Sequence, residues 1–199
     1  MKAVIFDVMG VIFEVNDDIN ELLIPFIQEK NPSISCEEIE ELFLQGSSGK
    51  FDSEEFWRKV GLAKDAGRLD EMYFPGRFTL DKEFLPLVDF LKANYKIGLL
   101  SNDIATWSDF LTTLHGVSPL VDVSIVSGKV GIRKPDARIF EILLKKLDLS
   151  ASDCIYIDDR IPNVEAANKL GFKALLFNRT GLEYDGKQIT SFKQVYDFL

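Results

Sequence analysis

The sequence predicts an α/β fold, a doubly wound parallel sheet with a helical cap domain inserted after its first strand. From about residue 79 onward, short apolar runs alternate with segments of helical periodicity, whereas residues 14–78 have helical periodicity alone. Strands that alternate with helices indicate parallel β-α-β units. We therefore predict an α/β core domain of residues 1–13 and 79–199 and a helical cap of residues 14–78.

The first predicted strand is the apolar run Ala3 to Phe6, which leads directly into Asp7. A short apolar run of this kind is typical of a strand that is buried on both faces. Gly10 then lets the chain turn away closely. Since ligands of open parallel sheets bind outside the carboxyl ends of the strands, Asp7 is a candidate site residue. A simple turn aspartate is the alternative at this stage.

The helical block opens with Asp17 and Asp18. Apolar residues follow at the spacing of an amphipathic helix: Ile19, Leu22, Leu23, Phe26 and Ile27. Ser35 and Glu38 form a capping-box pair that predicts the start of a second helix. Ser53 is predicted to cap a third helix.

The alternating part of the chain predicts four further strands, at residues 97–100, 123–126, 154–157 and 174–177. Helices are predicted at residues 84–91, 107–114, 139–147, 164–170 and 192–199. This alternation is what a doubly wound sheet requires.

Composition excludes several classes of protein. The net charge is −9, and this argues against binding to nucleic acid or to an anionic membrane surface, which needs clustered Lys and Arg. No apolar run reaches the roughly 18 residues of a membrane span. The two cysteines, Cys36 and Cys154, have no metal-ligand spacing, so a reducing, cytoplasmic location is the simplest expectation, although a disulfide stays open. The oligomeric state cannot be predicted.

Polar residues follow three more of the predicted strands. They are Ser101 and Asn102 after the second strand, Lys134 in the loop after the third, and Asp158 and Asp159 after the fourth. Parallel strands bring these ends to one edge of the sheet. Each residue alone also has an ordinary structural explanation, as a helix cap, a loop lysine or a turn. Their joint occurrence at strand ends predicts a site beside Asp7.

These motifs resemble those of the haloacid dehalogenase-like hydrolase superfamily, which contains many phosphatases. The resemblance covers nearly the whole chain and is carried by four motifs in order: residues 4–11 around Asp7, residues 99–102, residues 131–136 around Lys134, and residues 157–167 beginning at Asp158 and Asp159. The pattern is most similar to the small-helical-cap group, such as sugar-phosphate phosphatases and the N-terminal domain of soluble epoxide hydrolase. The resemblance implies a Rossmann-like core.

The resemblance implies that Asp7 is the nucleophile that takes up the phosphoryl group. It also implies a Mg²⁺ cofactor, held by Asp7, Asp159 and the backbone carbonyl of Met9, since Mg²⁺ prefers oxygen ligands. Asp158 is expected to lie beside the metal or to be a weaker ligand. The expected substrate is a small phosphorylated metabolite.

Three further residues are implied to handle the phosphate. Lys134 would neutralise charge on Asp7 and on the phosphate, and so it is counted both as catalytic and as substrate-binding. Ser101 and the backbone amide of Asn102 would bind phosphate oxygens. Lys50 and Arg77 of the cap are hypothetical anion contacts, but a solvated surface charge is the preferred interpretation of each.

Position 9 departs from the family pattern. Phosphatases of the family usually have a second aspartate there, which protonates the leaving oxygen, whereas this chain has Met9. Loss of general acid–base catalysis typically costs about 10²–10⁴-fold in rate. The chain is therefore a phosphatase helped by its substrate or by another carboxylate such as Asp103, or a phosphatase for leaving groups that need no proton, or a weakly active or non-catalytic binding protein.

A metal-independent 2-haloacid dehalogenase is a fourth, less favoured interpretation. Dehalogenases of the superfamily also lack the second aspartate, but they usually lack a double acid in the last motif. The pair Asp158 and Asp159 therefore favours a magnesium-dependent phosphatase.

Overall fold

The computed structural model describes residues 2–199, which form one six-stranded sheet. All strands are parallel, and their order is β3-β2-β1-β4-β5-β6. The strands are β1 (Lys2–Phe6), β2 (Tyr95–Ser101), β3 (Val123–Val126), β4 (Cys154–Asp158), β5 (Lys173–Phe177) and β6 (Gln188–Ile189). The predicted α/β fold with a parallel sheet is confirmed. Only the two-residue strand β6 was not predicted, because it is too short to have a recognisable period.

The helices also follow the predicted order. They are α1 (Ile24–Lys30), α2 (Cys36–Gly46), α3 (Ser53–Trp57), α4 (Leu69–Tyr73), α5 (Phe84–Leu91), α6 (Ala105–Leu114), α7 (Ser127–Val130), α8 (Ala137–Leu147) and α9 (Ile161–Lys169). Two π-helical turns, Ile19–Leu23 and Arg58–Leu62, extend α1 and α3. The predicted last helix consists of 3₁₀ turns, Phe192–Phe198, and α7 lies in a stretch predicted as a loop. No helix within residues 2–199 is long and apolar enough to cross a membrane.

Strand β1 is buried on both faces, as its unbroken apolar sequence predicts. Val4 and Phe6 point into one hydrophobic cluster, and Ala3 and Ile5 point into the other. This alternation follows from the two-residue period of a strand. Because β1 lies between β2 and β4, the sheet is extended in both directions from it, and a crevice forms at its carboxyl end.

Helices alone occupy the chain between β1 and α5, and we call residues 19–73 the helical segment. The two chain connections to this segment run side by side. The amide of Glu14 donates to the carbonyl of Thr79 at 2.9 Å, and the amide of Asp81 donates to the carbonyl of Ile12 at 2.9 Å. The segment thus leaves and rejoins the sheet domain at one place.

The predicted helix caps have mixed outcomes. Ser35 caps α2, since its hydroxyl accepts from the amide of Glu38 at 3.1 Å, as predicted. The prediction that Ser53 caps α3 is wrong, because the preceding residue, Asp52, caps that helix by accepting from the amide of Glu55 at 3.0 Å. A carboxylate one residue earlier takes the capping position, which leaves the Ser53 hydroxyl free for another contact.

A buried cluster of aromatic rings joins the helical segment to α6. Trp57 and Tyr73 of the segment contact Trp107 of α6, with ring centroids 5.2 and 5.9 Å apart. At its centre the carboxylate of Asp70 accepts from the indole nitrogens of Trp57 and Trp107 at 2.6 and 2.7 Å, and from the Ser53 hydroxyl at 2.6 Å. These three donors satisfy a charge that would otherwise be costly to bury.

Candidate active site

A cavity of about 470 Å³ lies at the carboxyl ends of β1, β2 and β4, where the helical segment faces the sheet. One side, which we call the strand-end wall, consists of Asp7, Ser101, Lys134 and Asp159. The opposite side, which we call the helical wall, consists of Asp18, Ile19 and Phe43. The cavity is therefore located where a doubly wound sheet places its ligands.

Asp7 is fixed at the end of β1. Its amide donates to the carbonyl of Ile157 at 2.8 Å, which continues the pairing of β1 with β4. Its Oδ1 accepts from the amide of Val8 at 2.7 Å and lies 2.8 Å from the Lys134 ammonium. Burial raises the pKa of Asp7 well above its usual range, although Lys134 opposes the shift. The carboxylate is thus held in one orientation by its own loop.

Lys134 is 4% exposed, and its ammonium has three acceptors. They are Asp7 at 2.8 Å, Asp158 at 2.7 Å and the carbonyl of Leu100 at 2.8 Å. Burial acts to lower the pKa of Lys134, but the two carboxylates outweigh it and raise the pKa. The lysine is therefore a permanently charged bridge between β1 and β4.

Asp158 is completely buried and is surrounded by donors. Its oxygens accept from Lys134, from the Tyr156 hydroxyl, from the amide of Arg160 at 2.8 Å and from the side-chain amide of Asn163 at 3.0 and 3.1 Å. A carboxylate with this many donors is well suited to orient Lys134 and the start of α9. It has little free electron-pair capacity to offer a metal ion.

Three carboxylates form a possible metal centre. Asp7, Asp158 and Asp159 each offer an oxygen within 4.8 Å of the others. Burial, and then the charge of Asp158, raise the pKa of Asp159 to about 7. Lys134 offsets only one of the three negative charges, so a divalent cation with a preference for oxygen ligands fits the remaining charge and the donor set.

Gly10 allows the third carboxylate to approach. Its φ is +74°, and a Cβ atom on it would come within 2.4 Å of Oδ2 of Asp159. Any larger residue would displace that carboxylate from the cavity. The glycine therefore makes room for Asp159 beside the loop that follows Asp7.

Ser101 and Asn102 complete the predicted set. Ser101 is the last residue of β2, is 2% exposed and lines the cavity. The side chain of Asn102 holds the backbone of Lys134, accepting from its amide at 2.8 Å and donating to its carbonyl at 3.0 Å. Asp7, Ser101, Asn102, Lys134 and Asp159 thus line one cavity, and Met9 lines it too.

Two positively charged residues of the cavity were not predicted from the sequence. Arg133 and Arg160 line the cavity, whereas Lys50 and Arg77 do not. Arg77 instead donates to the carbonyls at the end of α4 at 3.0 Å. The signal for the two arginines was their position in the chain, directly before Lys134 and directly after Asp159.

Asp103 and Asp18 have different positions relative to the cavity. Asp103, predicted as a possible substitute acid, is 4% exposed and does not line the cavity. Its Oδ1 accepts from the amide of Ile104 at 2.7 Å, and its Oδ2 is buried without a partner among residues 2–199. Asp18, which the sequence reasoning treated only as a helix start, lines the cavity.

Comparison with known proteins is consistent with this architecture. The model of a hydrolase family, the haloacid dehalogenase-like hydrolases, matches residues 1–171. Phosphatase MT3486 of Mycobacterium tuberculosis is 33% identical over 46% of this chain, and the match spans 42% of that protein, less than half its length. Sesquiterpene phosphatase astK of Aspergillus oryzae is 27% identical over 87% of this chain and 88% of that protein.

Solved structures share the fold. A HAD phosphatase from Thermococcus onnurineus has a TM-score of 0.77 and 24% identity, covering 100% of this chain and 97% of that one. A HAD family enzyme from Bacteroides thetaiotaomicron, solved as a magnesium complex, has a TM-score of 0.72 and 18% identity, covering 93% and 96%.

Proposed function

The chain belongs to the haloacid dehalogenase-like hydrolase family, and from the geometry of its cavity we propose that it hydrolyses a small phosphate monoester through a phosphorylated Asp7. One observation carries the proposal. Lys134 bridges Asp7 and Asp158 at 2.8 and 2.7 Å, with Asp159 in the same cavity. A carboxylate that is held rigidly, partly neutralised and open to a cavity is equipped to attack phosphorus.

Each residue at the strand ends has a separate role in the proposed reaction. Asp7 attacks phosphorus with the carboxylate oxygen that is not held by Lys134. The Lys134 ammonium offsets the negative charge that gathers as the carboxylate meets the phosphate. Ser101 and the amide of Asn102 bind phosphate oxygens at the end of β2. Asp158 keeps Lys134 charged and in position.

We propose Mg²⁺ as the cofactor, held by Asp7, Asp159 and the backbone carbonyl of Met9. When bound, it would supply the positive charge that lets an anionic nucleophile approach an anionic ester. The excess of negative charge among Asp7, Asp158 and Asp159 supports this cofactor. Because its oxygens are already occupied by donors, Asp158 is proposed to support the site through Lys134.

We further propose that residues 14–78 act as a cap over this cavity. The pairing of residues 12–14 with residues 79–81, close to the predicted boundaries, supports the division. Ile19 and Phe43 then give the leaving group an apolar surface, and Arg133 and Arg160 give it positive charge. A small phosphorylated metabolite fits a cavity of this size. The names of the relatives support a phosphate ester, and a cytoplasmic location stays a prediction.

Two alternatives follow from Met9. A weakly active or non-catalytic binding protein would keep the cavity but turn over no ester. A metal-independent dehalogenase would not need the excess of carboxylates around Lys134, and so the cluster of Asp7, Asp158 and Asp159 favours the phosphatase.

The test is phosphate release from an aryl phosphate with and without Mg²⁺. We expect turnover that needs Mg²⁺ and that Asp7→Asn abolishes, because an amide cannot form the phosphorylated intermediate. Asp89→Asn, which removes an exposed carboxylate of α5, is the control and should keep wild-type turnover. Turnover that persists in Asp7→Asn would contradict the mechanism, and tight phosphate binding without turnover would favour the binding protein.

Calorimetric titration tests the cofactor separately. Mg²⁺ should bind to the wild-type protein and not to Asp159→Asn, which keeps the shape of the side chain and removes its charge. Unchanged binding in that variant would place the metal elsewhere.

A further inference from the structure

We propose that Asp18 of the helical wall gives the proton to the leaving oxygen and later takes one from water, in place of the carboxyl group that Met9 lacks. This inference rests on the proposed phosphatase function. It assigns a catalytic role to a residue that lies eleven positions after Asp7 in the sequence, on the side of the cavity that faces the strand ends.

The geometry separates Asp18 from its neighbour. Asp17 lines the same cavity, but its oxygens are used by the fold, since they accept from the amide and the side chain of Asn20 at 3.2 and 3.0 Å. Asp18 precedes the π-helical turn without capping it. Within residues 2–199, no other residue donates a hydrogen bond to its carboxylate, although that carboxylate lines the cavity. Asp17 thus stabilises the local backbone, whereas the Asp18 carboxylate is available to a substrate.

The charges around Asp18 favour its protonated form. Burial raises its pKa to about 6, with a further contribution from Asp17 and Glu21, while Arg160 opposes the shift. A pKa near the working pH suits a group that must both give and take a proton. A bound phosphate ester adds negative charge to the cavity and would raise this pKa further.

The groups behind Asp18 come from other elements. Burial raises the pKa of Asp103 well above its usual range, the charge of Asp18 adds to the shift, and Arg133 opposes it. Burial likewise raises the pKa of Tyr73, with contributions from Asp18 and Asp103. Burial thus favours the neutral forms of Asp103 and Tyr73 as well, and of these three groups only Asp18 lines the cavity.

The proton transfers balance in both half-reactions. First, Asp7 bonds to phosphorus, the bond from phosphorus to the ester oxygen breaks, and that oxygen takes the proton of the Asp18 carboxyl to leave as an alcohol. Then the Asp18 carboxylate removes a proton from water as the water oxygen bonds to phosphorus. The bond between phosphorus and Asp7 breaks, which returns both carboxyl groups to their starting states and releases inorganic phosphate.

The experiment compares an alkyl phosphate with an aryl phosphate in wild type and Asp18→Asn. For the alkyl ester, whose leaving oxygen is strongly basic, we expect kcat/KM to fall by about 10²-fold or more. For the aryl ester, kcat/KM should change less than about threefold, because phenolate leaves without a proton. Its kcat should nevertheless fall, with a burst of one equivalent of phenol, because water no longer has a base to attack phosphorylated Asp7.

Asp17→Asn is the matched control. It removes one charge from the adjacent residue, and its side-chain oxygen can still accept from the amide of Asn20, so both esters should be hydrolysed at close to the wild-type rate. The alkaline limb of the kcat/KM profile for the alkyl ester, where Asp18 loses its proton, should be lost in Asp18→Asn and kept in Asp17→Asn. A residue with a purely structural role would not change that limb selectively.

Three outcomes would overturn the inference. Wild-type turnover of the alkyl ester by Asp18→Asn, while Asp7→Asn is inactive, would leave the phosphatase standing and remove the role of Asp18. An equal fall in kcat/KM for both esters without a burst would indicate a structural role. An inactive wild-type protein would overturn the phosphatase proposal and this inference together.

Discussion

Two buried carboxylates near the cavity, those of Asp158 and Asp103, have opposite surroundings. On the strand-end side, Asp158 is completely buried and accepts from Lys134, Tyr156, Arg160 and Asn163. Asp103, between β2 and α6, has a buried oxygen without a partner among the described residues, and its pKa is raised by burial. The first arrangement surrounds a carboxylate with donors and a cation, whereas the second favours the neutral acid through burial.

This difference divides the reaction between the walls. A nucleophile has to be ionised, and so it belongs with Lys134 and the proposed cation. A proton donor has to be neutral, and so it belongs in a desolvated place away from them. The loss of the acid at position 9 moves the proton chemistry from the strand-end wall to the helical wall.

Removal of the lysine bridge should give the largest change in stability. Lys134→Met leaves Asp158 buried without its cation, and breaking a buried pair in this way costs about 3–5 kcal/mol. Burial already raises the pKa of Asp7, and the variant loses the lysine charge that opposes this shift. The native state would therefore bind more protons than the unfolded state, and the free energy of unfolding would fall as the pH rises. Urea denaturation at pH 5.5 and 8 measures both effects.

Lys129→Met is the control for that comparison. Lys129 pairs with Asp109 at 2.6 Å, but both side chains are exposed, at 42% and 62%. Exposed pairs contribute about 0–1 kcal/mol, with little dependence on pH in this range. Equal losses of stability in the two variants would mean that the buried ion pair stabilises the fold no more than the exposed one does.

Substitution of Asp70, which links the helical segment to α6, should give the next largest loss of stability. Asp70→Ala leaves the indole nitrogens of Trp57 and Trp107 and the Ser53 hydroxyl without their acceptor. Each buried unsatisfied donor costs about 1–3 kcal/mol, so we expect a loss above about 2 kcal/mol in urea denaturation. Asp70→Asn should lose less than half as much, because one amide oxygen can serve both indoles. A larger loss in the asparagine variant would imply that the charge itself holds the cluster.

The sequence predicted one wall far better than the other. The strand-end residues follow apolar runs with clear periodicity, and the parallel sheet brings the ends of such runs together wherever they occur in the chain. Asp18 has no comparable signal, because an acid before an amphipathic stretch is also the ordinary start of a helix. The contacts of Trp57 and Tyr73 with Trp107 join the helical segment to α6, and no local pattern encodes such long-range contacts.

Relief of carboxylate repulsion should have a smaller effect, of opposite sign. Without Mg²⁺ at pH 8, Asp159→Asn removes a charge that lies close to Asp158, and we expect a gain of about 1 kcal/mol, or about 2–4 °C in Tm for a chain of this size. Addition of Mg²⁺ at 100 times its Kd should stabilise the wild type by about 2.7 kcal/mol and leave the variant unchanged. Differential scanning calorimetry measures both, and a variant that still responds to Mg²⁺ would contradict the assignment of Asp159.

The smallest expected effect is that of Met9→Asp in the wild-type background. If no group supplied the proton, this substitution would strongly accelerate the alkyl ester and leave the aryl ester nearly unchanged. With Asp18 in that role, the new acid is redundant, and we expect kcat/KM for the alkyl ester to change less than about threefold. In Asp18→Asn the same substitution should recover most of the lost alkyl-ester rate, because a carboxyl group at position 9 lies in the same cavity as Asp7. The kcat/KM values of wild type, the two single variants and the double variant form a double-mutant cycle. A strongly non-additive result would indicate that the two acids supply the same proton. A large gain in kcat/KM for the alkyl ester in the wild-type background, or no recovery of it in Asp18→Asn, would contradict the role proposed for Asp18.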